Sequence, residues 1–177
     1  SELLAPVSDY ILWYARDRSQ VKFRPLMNKK VFGEEGTTQY KYLEIASGIT
    51  RRMSRSELEN PATIEPTARI FSPSPLVSES SSTSTSMTVT IFGKLFRPSK
   101  GGWKTNVDGF RRLEYADRLM VIGQTPMYRR FYEDYPYLSY VNHWRDVFMT
   151  GFSEPKTYVV QTSSKAISRC ILMTTDP

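Results

Sequence analysis

Cysteine and histidine are almost missing from this chain of 177 residues, which has one of each, Cys170 and His143. A single thiol excludes an internal disulfide, and one residue of each type cannot assemble a structural zinc site. No stretch of about eighteen apolar residues is present, so no membrane-spanning helix is expected. A basic, apolar and small-residue leader pattern is lacking too, and the expected location is cytoplasmic. Also absent are a Gly-rich phosphate loop, an HxxxH or CxxC pair and a Gly-x-Ser-x-Gly elbow. Cys170 falls on the apolar side of a helical stretch, where a thiol serves as a small buried hydrophobe. His143, in Val141-Asn142-His143-Trp144-Arg145-Asp146, reads as structural rather than as a general base. On its own residues the chain does not read as a complete enzyme.

What the chain does have is positive charge in one place. Its formal net charge is +6. Residues 1–93 contribute +1 and residues 131–177 contribute −1, whereas residues 94–130 hold nine Lys or Arg against three Asp or Glu, a net of +6. A basic block by itself is usually a solvated face. Here Phe92, Phe96, Trp103, Phe110, Tyr115 and Tyr128 are interleaved with it, which favours a nucleic-acid surface.

Periodicity predicts an α+β fold, with short, mostly antiparallel strands and two or three helices. Residues 9–17 (DYILWYARD) read as a strand buried on both faces, because the apolar run is nearly continuous. Residues 21–25 and 38–45 are further strand candidates. Ser54 with Glu57 three residues later is a capping-box pattern for a short helix that Pro61 ends. Pro61, Pro66, Pro73 and Pro75 are expected to break any regular element as far as Val77. Residues 78–86 (SESSSTSTS) are expected to be a flexible loop, and residues 88–96 a strand with Val89, Ile91 and Leu95 alternating. Thr105 or Asn106 caps a predicted helix to about Leu119, with Val107, Phe110, Leu113 and Ala116 as its apolar stripe. Asp108–Arg112 and Glu114–Arg118 are its expected i,i+4 pairs. Gly123 is a turn, and residues 128–132, 137–141 and 158–160 are short strands. Thr162 or Ser163 then caps a last helix with Ala166, Ile167, Cys170 and Ile171 at helical spacing.

Three segments carry a resemblance: SELLAPVSDYILWYARD near the start, GGWKTNVDGFRRLEYADRL in the middle, and TYVVQTSSKAISRC near the end. Together they resemble site-specific DNA methyltransferases that modify adenine N6, of the DNA methylase N-4/N-6 family, in the family's own order along nearly the whole chain. The order matches the class of type III modification subunits, in which an Asp-Pro-Pro-Tyr-type catalytic tetrapeptide precedes the target-recognition region and the cofactor loop follows it. The resemblance implies that residues 1–19 and 158–177 are stubs of a catalytic domain with an incomplete Rossmann-like sheet. Residues 20–157 would then be the DNA-reading insertion. The tetrapeptide and the Gly-rich S-adenosylmethionine loop are both absent from this sequence, so the chain alone is expected to be inactive. By the resemblance, Gln161, Thr162 and Ser163 are neighbours of S-adenosylmethionine; on their own they read equally as a helix cap. Where the family often carries Gln-Lys-Pro, Thr162 and Ser163 follow Gln161 here, which leaves the lysine's part unfilled.

An enzyme of this kind must flip its adenine out of the duplex, so it grips phosphates around the site while reading base edges beside it. The expected partner is therefore double-stranded DNA, with a restriction subunit or a second copy of the chain as further partners, and no membrane. Lys100, Lys104, Arg111 and Arg112 are the phosphate candidates, the first two flanking a Gly-Gly pair that lets backbone come close. Asn106 is a DNA-binding candidate as well as a cap. Trp103 either stacks on a base or anchors the core beneath its loop. Arg129 and Arg130 sit on a strand and point to opposite faces, so at most one reaches a given DNA surface. A nucleic-acid-binding module of another family and a protein-interaction domain with an aromatic core are the alternatives.

Overall fold

The computed structural model describes residues 9–46, 48–147 and 161–176. Along the chain run strands β1 (Met27–Lys29), β2 (Tyr42–Ala46) and β3 (Ile49–Arg52), then helix α1 (Arg55–Glu59). Strands β4 (Arg69–Pro75), β5 (Val77–Ser78), β6 (Val89–Ile91), β7 (Lys94–Phe96) and β8 (Gly102–Trp103) precede helix α2 (Val107–Tyr115). Strands β9 (Leu119–Ile122), β10 (Thr125–Phe131) and β11 (Tyr137–Ser139) follow, and helix α3 (Ser164–Thr174) is last. The fold is α+β. Its main sheet is antiparallel, in the order β3-β2-β4-β10-β9. No helix among the described residues is long and apolar enough to cross a membrane.

The chain forms two compact units, one of residues up to Asn28 with those from Ser139 on, the other Lys29–Leu138. These divisions fall inside the stretch 20–157 that sequence marks as a single region.

The second unit is built on its central strands. Phe71 of β4 faces Phe131 of β10 in register; both are fully buried, with Tyr42 of β2 against Phe71 on the same face and Leu43 buried on the other. Burying each ring contributes about 1.5–3 kcal/mol. Residues expected to break the chain are in fact the middle of the sheet, because Pro73 and Pro75 share the alternation of Phe71. Beyond Phe71, β2 no longer pairs with β4. The ring nitrogens therefore face that open edge, and Ser72 and Ser74 are left to donate toward β10. A second cluster, of Leu76, Val89, Ile91, Trp103, Phe110 and Leu119, fills the other end.

Other expectations are corrected by the structure. Residues 9–17 form no strand, and Tyr10, Leu12 and Tyr14 are strongly exposed. β-propensity specifies a strand only where an edge is available to pair with, and none is paired there. Residues 21–25 are not a strand either; the first one begins at Met27. Residues 88–96 are a hairpin, β6 with β7, rather than one strand. Helix α2 stops at Tyr115, four residues early, because Asp117 takes a left-handed φ of 52°. Arg118 consequently pairs with Asp134 at 2.7 Å instead of with Glu114. On α2 only Phe110 of the expected stripe is fully buried. In α3 the buried residues are Ala166 and Arg169, while Ile167 and Ile171 are exposed. The 78–86 stretch holds a short 3-10 turn, Thr83–Thr85, tied by Ser82 N–H donating to Thr85 Oγ1 at 2.9 Å. The strand expected over 158–160 lies outside the described residues.

The capping box of α1 forms as the sequence predicts. Ser54 Oγ accepts from Glu57 N–H, and the Glu57 carboxylate accepts from Ser54 N–H at 2.7 Å. Arg51 clamps the same carboxylate through two nitrogens at 2.8 and 2.6 Å. The Arg51 guanidinium and then the Ser54 N–H hold the Glu57 carboxyl at about 2, against an ordinary 4.5. A depressed folded-state pKa means that the unfolded chain binds the proton first. This contribution to stability is thus complete above about pH 4.5 and lost as pH falls toward 2. Glu57→Gln is expected to lower stability at neutral pH and to flatten its decline between those values. Urea unfolding at a series of pH values checks this, and parallel curves for the two proteins would contradict it.

Candidate nucleic-acid interface

The basic segment is organised by the second core cluster. Trp103, 2% exposed, meets Phe110 edge-on at 5.1 Å and donates its indole N–H to the Met87 carbonyl at 2.8 Å. Those contacts pin β8, the residues leading into β6 and the first turn of α2 to one another. Asn106 caps α2, its Oδ1 accepting from Gly109 N–H at 2.8 Å. The hairpin turns through Phe92 and Gly93 at φ 48° and 74°, the left-handed pair of a two-residue primed turn. The Phe92 N–H then donates to Glu114 Oε1 of α2 at 3.2 Å. Hairpin and helix thus form one small scaffold.

This scaffold carries six cations between Lys94 and Arg112, and all are exposed. Lys94, Arg97, Lys100 and Lys104 make no ion pair among the described residues. Arg111 reaches Asp108 only at 3.5 Å, both side chains being well exposed. Arg112 donates to the Asp108 carbonyl at 3.4 Å rather than to its carboxylate. Six other arginines, Arg51, Arg55, Arg69, Arg118, Arg129 and Arg169, each hold a carboxylate at 2.8 Å or less. Exposed cations with no ion-pair partner, as at Lys94, Arg97, Lys100 and Lys104, keep most of their field for an external polyanion. A shallow groove of about 200 Å³ lies between β6 and α2, with Val89 and Phe110 in its lining and Thr88, Thr90 and Arg111 as donors.

Of the residues singled out by sequence, Lys100, Lys104, Arg111 and Arg112 lie on this surface. Lys94 and Arg97 belong with them, and the signal that places them there is the Phe92-Gly93 turn. Trp103 is the core anchor and does not present its ring for stacking. Asn106 uses its side-chain oxygen on the cap. Arg129 and Arg130 do point to opposite faces, but neither face is free. Arg129, 6% exposed, donates to Glu44 at 2.7 Å, Asp117 at 2.6 Å and the Leu119 carbonyl. Arg130 is half-buried over the Tyr40 ring at 5.5 Å, with its Nε buried and unpartnered. The space above Gly101 and Gly102 is also taken. A Cβ on Gly101 would lie 1.9 Å from the Ser78 carbonyl oxygen, and one on Gly102 would lie 2.4 Å from Thr85 Oγ1. The Gly-Gly pair therefore seats the serine-rich loop.

Gln161, Thr162 and Ser163 lie in the other unit, leading into α3. Ser163 is buried and takes the cap position without a side-chain bond; its carbonyl accepts from Ala166 N–H at 3.1 Å. A nearby cleft of about 480 Å³ is lined by Tyr140, Ser164, Lys165 and Arg169, and not by those three residues. Arg169 donates to both oxygens of Asp146 at 2.8 and 2.5 Å and lies over Tyr140 and Trp144. That clamp holds the Asp146 carboxyl below the usual carboxylate range. Trp144 is thus half-buried against the Arg169 guanidinium, and Asp146 is that arginine's exposed counter-ion. Among the described residues no group of His, Cys, Asp and Glu is placed to hold a metal ion. No family model, curated protein or solved structure matches the chain.

Proposed function

We propose that this chain is the DNA-recognition portion of an S-adenosylmethionine-dependent, adenine-N6-specific DNA methyltransferase of the restriction–modification type. It grips duplex DNA so that a flipped adenine can be methylated. The observation that carries the DNA-binding part is the run of six exposed cations from Lys94 to Arg112, whose one acidic partner sits at 3.5 Å. The methyltransferase part rests on the three segments that resemble that family, and with it the Rossmann-like origin of the outer segments. Phosphate contacts from Lys94, Arg97, Lys100, Lys104, Arg111 and Arg112 fix the protein's position on the duplex; base edges beside them supply specificity.

S-adenosylmethionine would supply the methyl group in the parent reaction. The described residues do not compose a pocket for it: Ser163 is buried, and the cleft beside α3 has Lys165 and Arg169 in its walls. No transfer step is assigned to this chain. One observation favours the protein-interaction reading, since Trp103 and Phe110 are core residues and charge must act without them.

Salt dependence separates these readings. With six phosphate contacts, log K for a mixed-sequence duplex is expected to fall with log salt at a slope of roughly −5. Lys104→Ala should weaken binding evenly across sequences and reduce the slope by about one. Absence of duplex binding at low salt would leave the interaction domain as the surviving reading.

A further inference from the structure

We propose that Phe92, at the tip of the β6–β7 hairpin, is a wedge that enters the base stack of the duplex and occupies the gap a displaced base leaves. The inference rests on the DNA-binding reading above and assigns one residue a specific task within it. The first support is conformational. Phe92 has φ 48° in a two-residue turn where Asn or Gly is the usual occupant, and a bulky side chain there is an outlier. What the fold gains from the position does not need the ring. The bond to Glu114 Oε1 comes from the backbone N–H, which an asparagine would supply equally well. The ring itself is 53% exposed and has no aromatic partner among the described residues.

The second support is what surrounds the ring. Lys94 is two residues on and Arg97 five, both exposed and without an acidic partner, and Leu95 beside them is 74% exposed. An apolar protein partner would leave those cations uncompensated, whereas a duplex meets them with phosphates and meets the ring with stacked bases. The third support is rigidity. Val89 and Ile91, directly behind the tip, are buried against Trp103 and Phe110. The wedge is therefore held ready, and little ordering entropy is lost when it inserts. Apolar side chains that part base steps act in this way: unstacking costs free energy that contacts with the opened duplex offset.

The test uses the full chain and two fluorescent duplexes of mixed sequence, one intact and one with a central abasic site where the gap already exists. The wild-type protein is expected to prefer the abasic duplex by about tenfold. Phe92→Asn, which suits the left-handed turn, is expected to retain thermal stability and the salt slope while losing that preference. Phe92→Trp is expected to keep it. A 2-aminopurine placed beside the abasic site should brighten or quench with the wild-type protein and not with Phe92→Asn. If the wild-type protein binds duplex without preference, or Phe92→Asn matches it on both duplexes, the wedge is wrong and DNA binding stands. If the wild-type protein binds neither duplex, both inferences fall.

Discussion

Arg129→Met is expected to cost about 3–5 kcal/mol of stability, the scale for removing one partner of a buried ion pair. Methionine fills much of the same volume, so the loss reflects unpaired polar groups rather than a cavity. Glu44 is the main one. Its side chain is 11% exposed, and Arg129 at 2.7 Å is its near partner, with Arg69 at 3.7 Å. Asp117 can rehydrate, its side chain being 63% exposed, but its left-handed backbone loses the contact that helps hold it. The Leu119 carbonyl loses two donors at 3.2 and 3.0 Å. The double variant Arg129→Met/Glu44→Gln should recover part of the deficit, because it leaves no uncompensated buried charge. Urea denaturation of the two single variants and the double gives the coupling. A loss below about 1 kcal/mol would place the pair in the class of exposed salt bridges and overturn its role as a buried strut. The same variant also separates core from interface. Below the unfolding transition its duplex affinity should match the wild type, whereas Lys104→Ala weakens binding without changing stability.

What was legible in the sequence was what is local. Ser54 and Glu57 close a loop of three residues, so their capping box needs nothing from the rest of the chain. Asn106 as the α2 cap is legible for the same reason. Residues 88–96 have strand-like alternation, but the turn within them is Phe-Gly and lacks the Asn-Gly or Asp-Gly signal that marks a hairpin. Pro73 and Pro75 look like breakers until the partner strands are known. A proline interrupts a sheet only where its missing N–H faces a neighbour, and here β2 ends before it would. Alternation places Arg129 and Arg130 on opposite faces, yet the buried state of Arg129 depends on Glu44, 85 residues earlier. Interleaved aromatics and cations do not say which turn inward. Trp103 and Phe110 went to the core while the lysines and arginines beside them stayed out. The Gly101-Gly102 pair shows the same limit, since a close approach is legible in two glycines but the approaching group is not.

That pair carries the second large effect. Gly101→Ala is expected to lose about 3 kcal/mol, from two sources that act together. Its φ of +60° is left-handed, which costs an alanine about 1–2 kcal/mol. Its new methyl would also stand 1.9 Å from the Ser78 carbonyl oxygen and 2.8 Å from that of Glu79. Both are backbone atoms, so relief requires the loop itself to move, and overpacking of this kind costs about 1–3 kcal/mol. Two other glycines separate the contributions. Gly93→Ala has φ +74° and nothing within 4 Å, so it should lose only the conformational part, about 1–2 kcal/mol. Gly102→Ala has no positive φ, but its methyl meets Thr85 Oγ1 at 2.4 Å and Thr85 Cβ at 2.9 Å, so it should lose only the overpacking part, about 1–3 kcal/mol. Gly101→Ala, which combines both parts, is expected to lose the most, ahead of Gly93→Ala and Gly102→Ala. Because Ser78 pairs with Gly102 across β5 and β8, shifting that loop also shifts Lys100 and Lys104 on either side of the turn. Gly101→Ala should therefore weaken duplex binding even where the protein is still folded, and Gly93→Ala should not do so through those lysines. Equal denaturation midpoints for Gly101→Ala and Gly93→Ala would mean that the Ser78–Glu79 backbone is not seated on Gly101 in the folded protein. The charged turn would then owe its position to the Trp103 anchor alone.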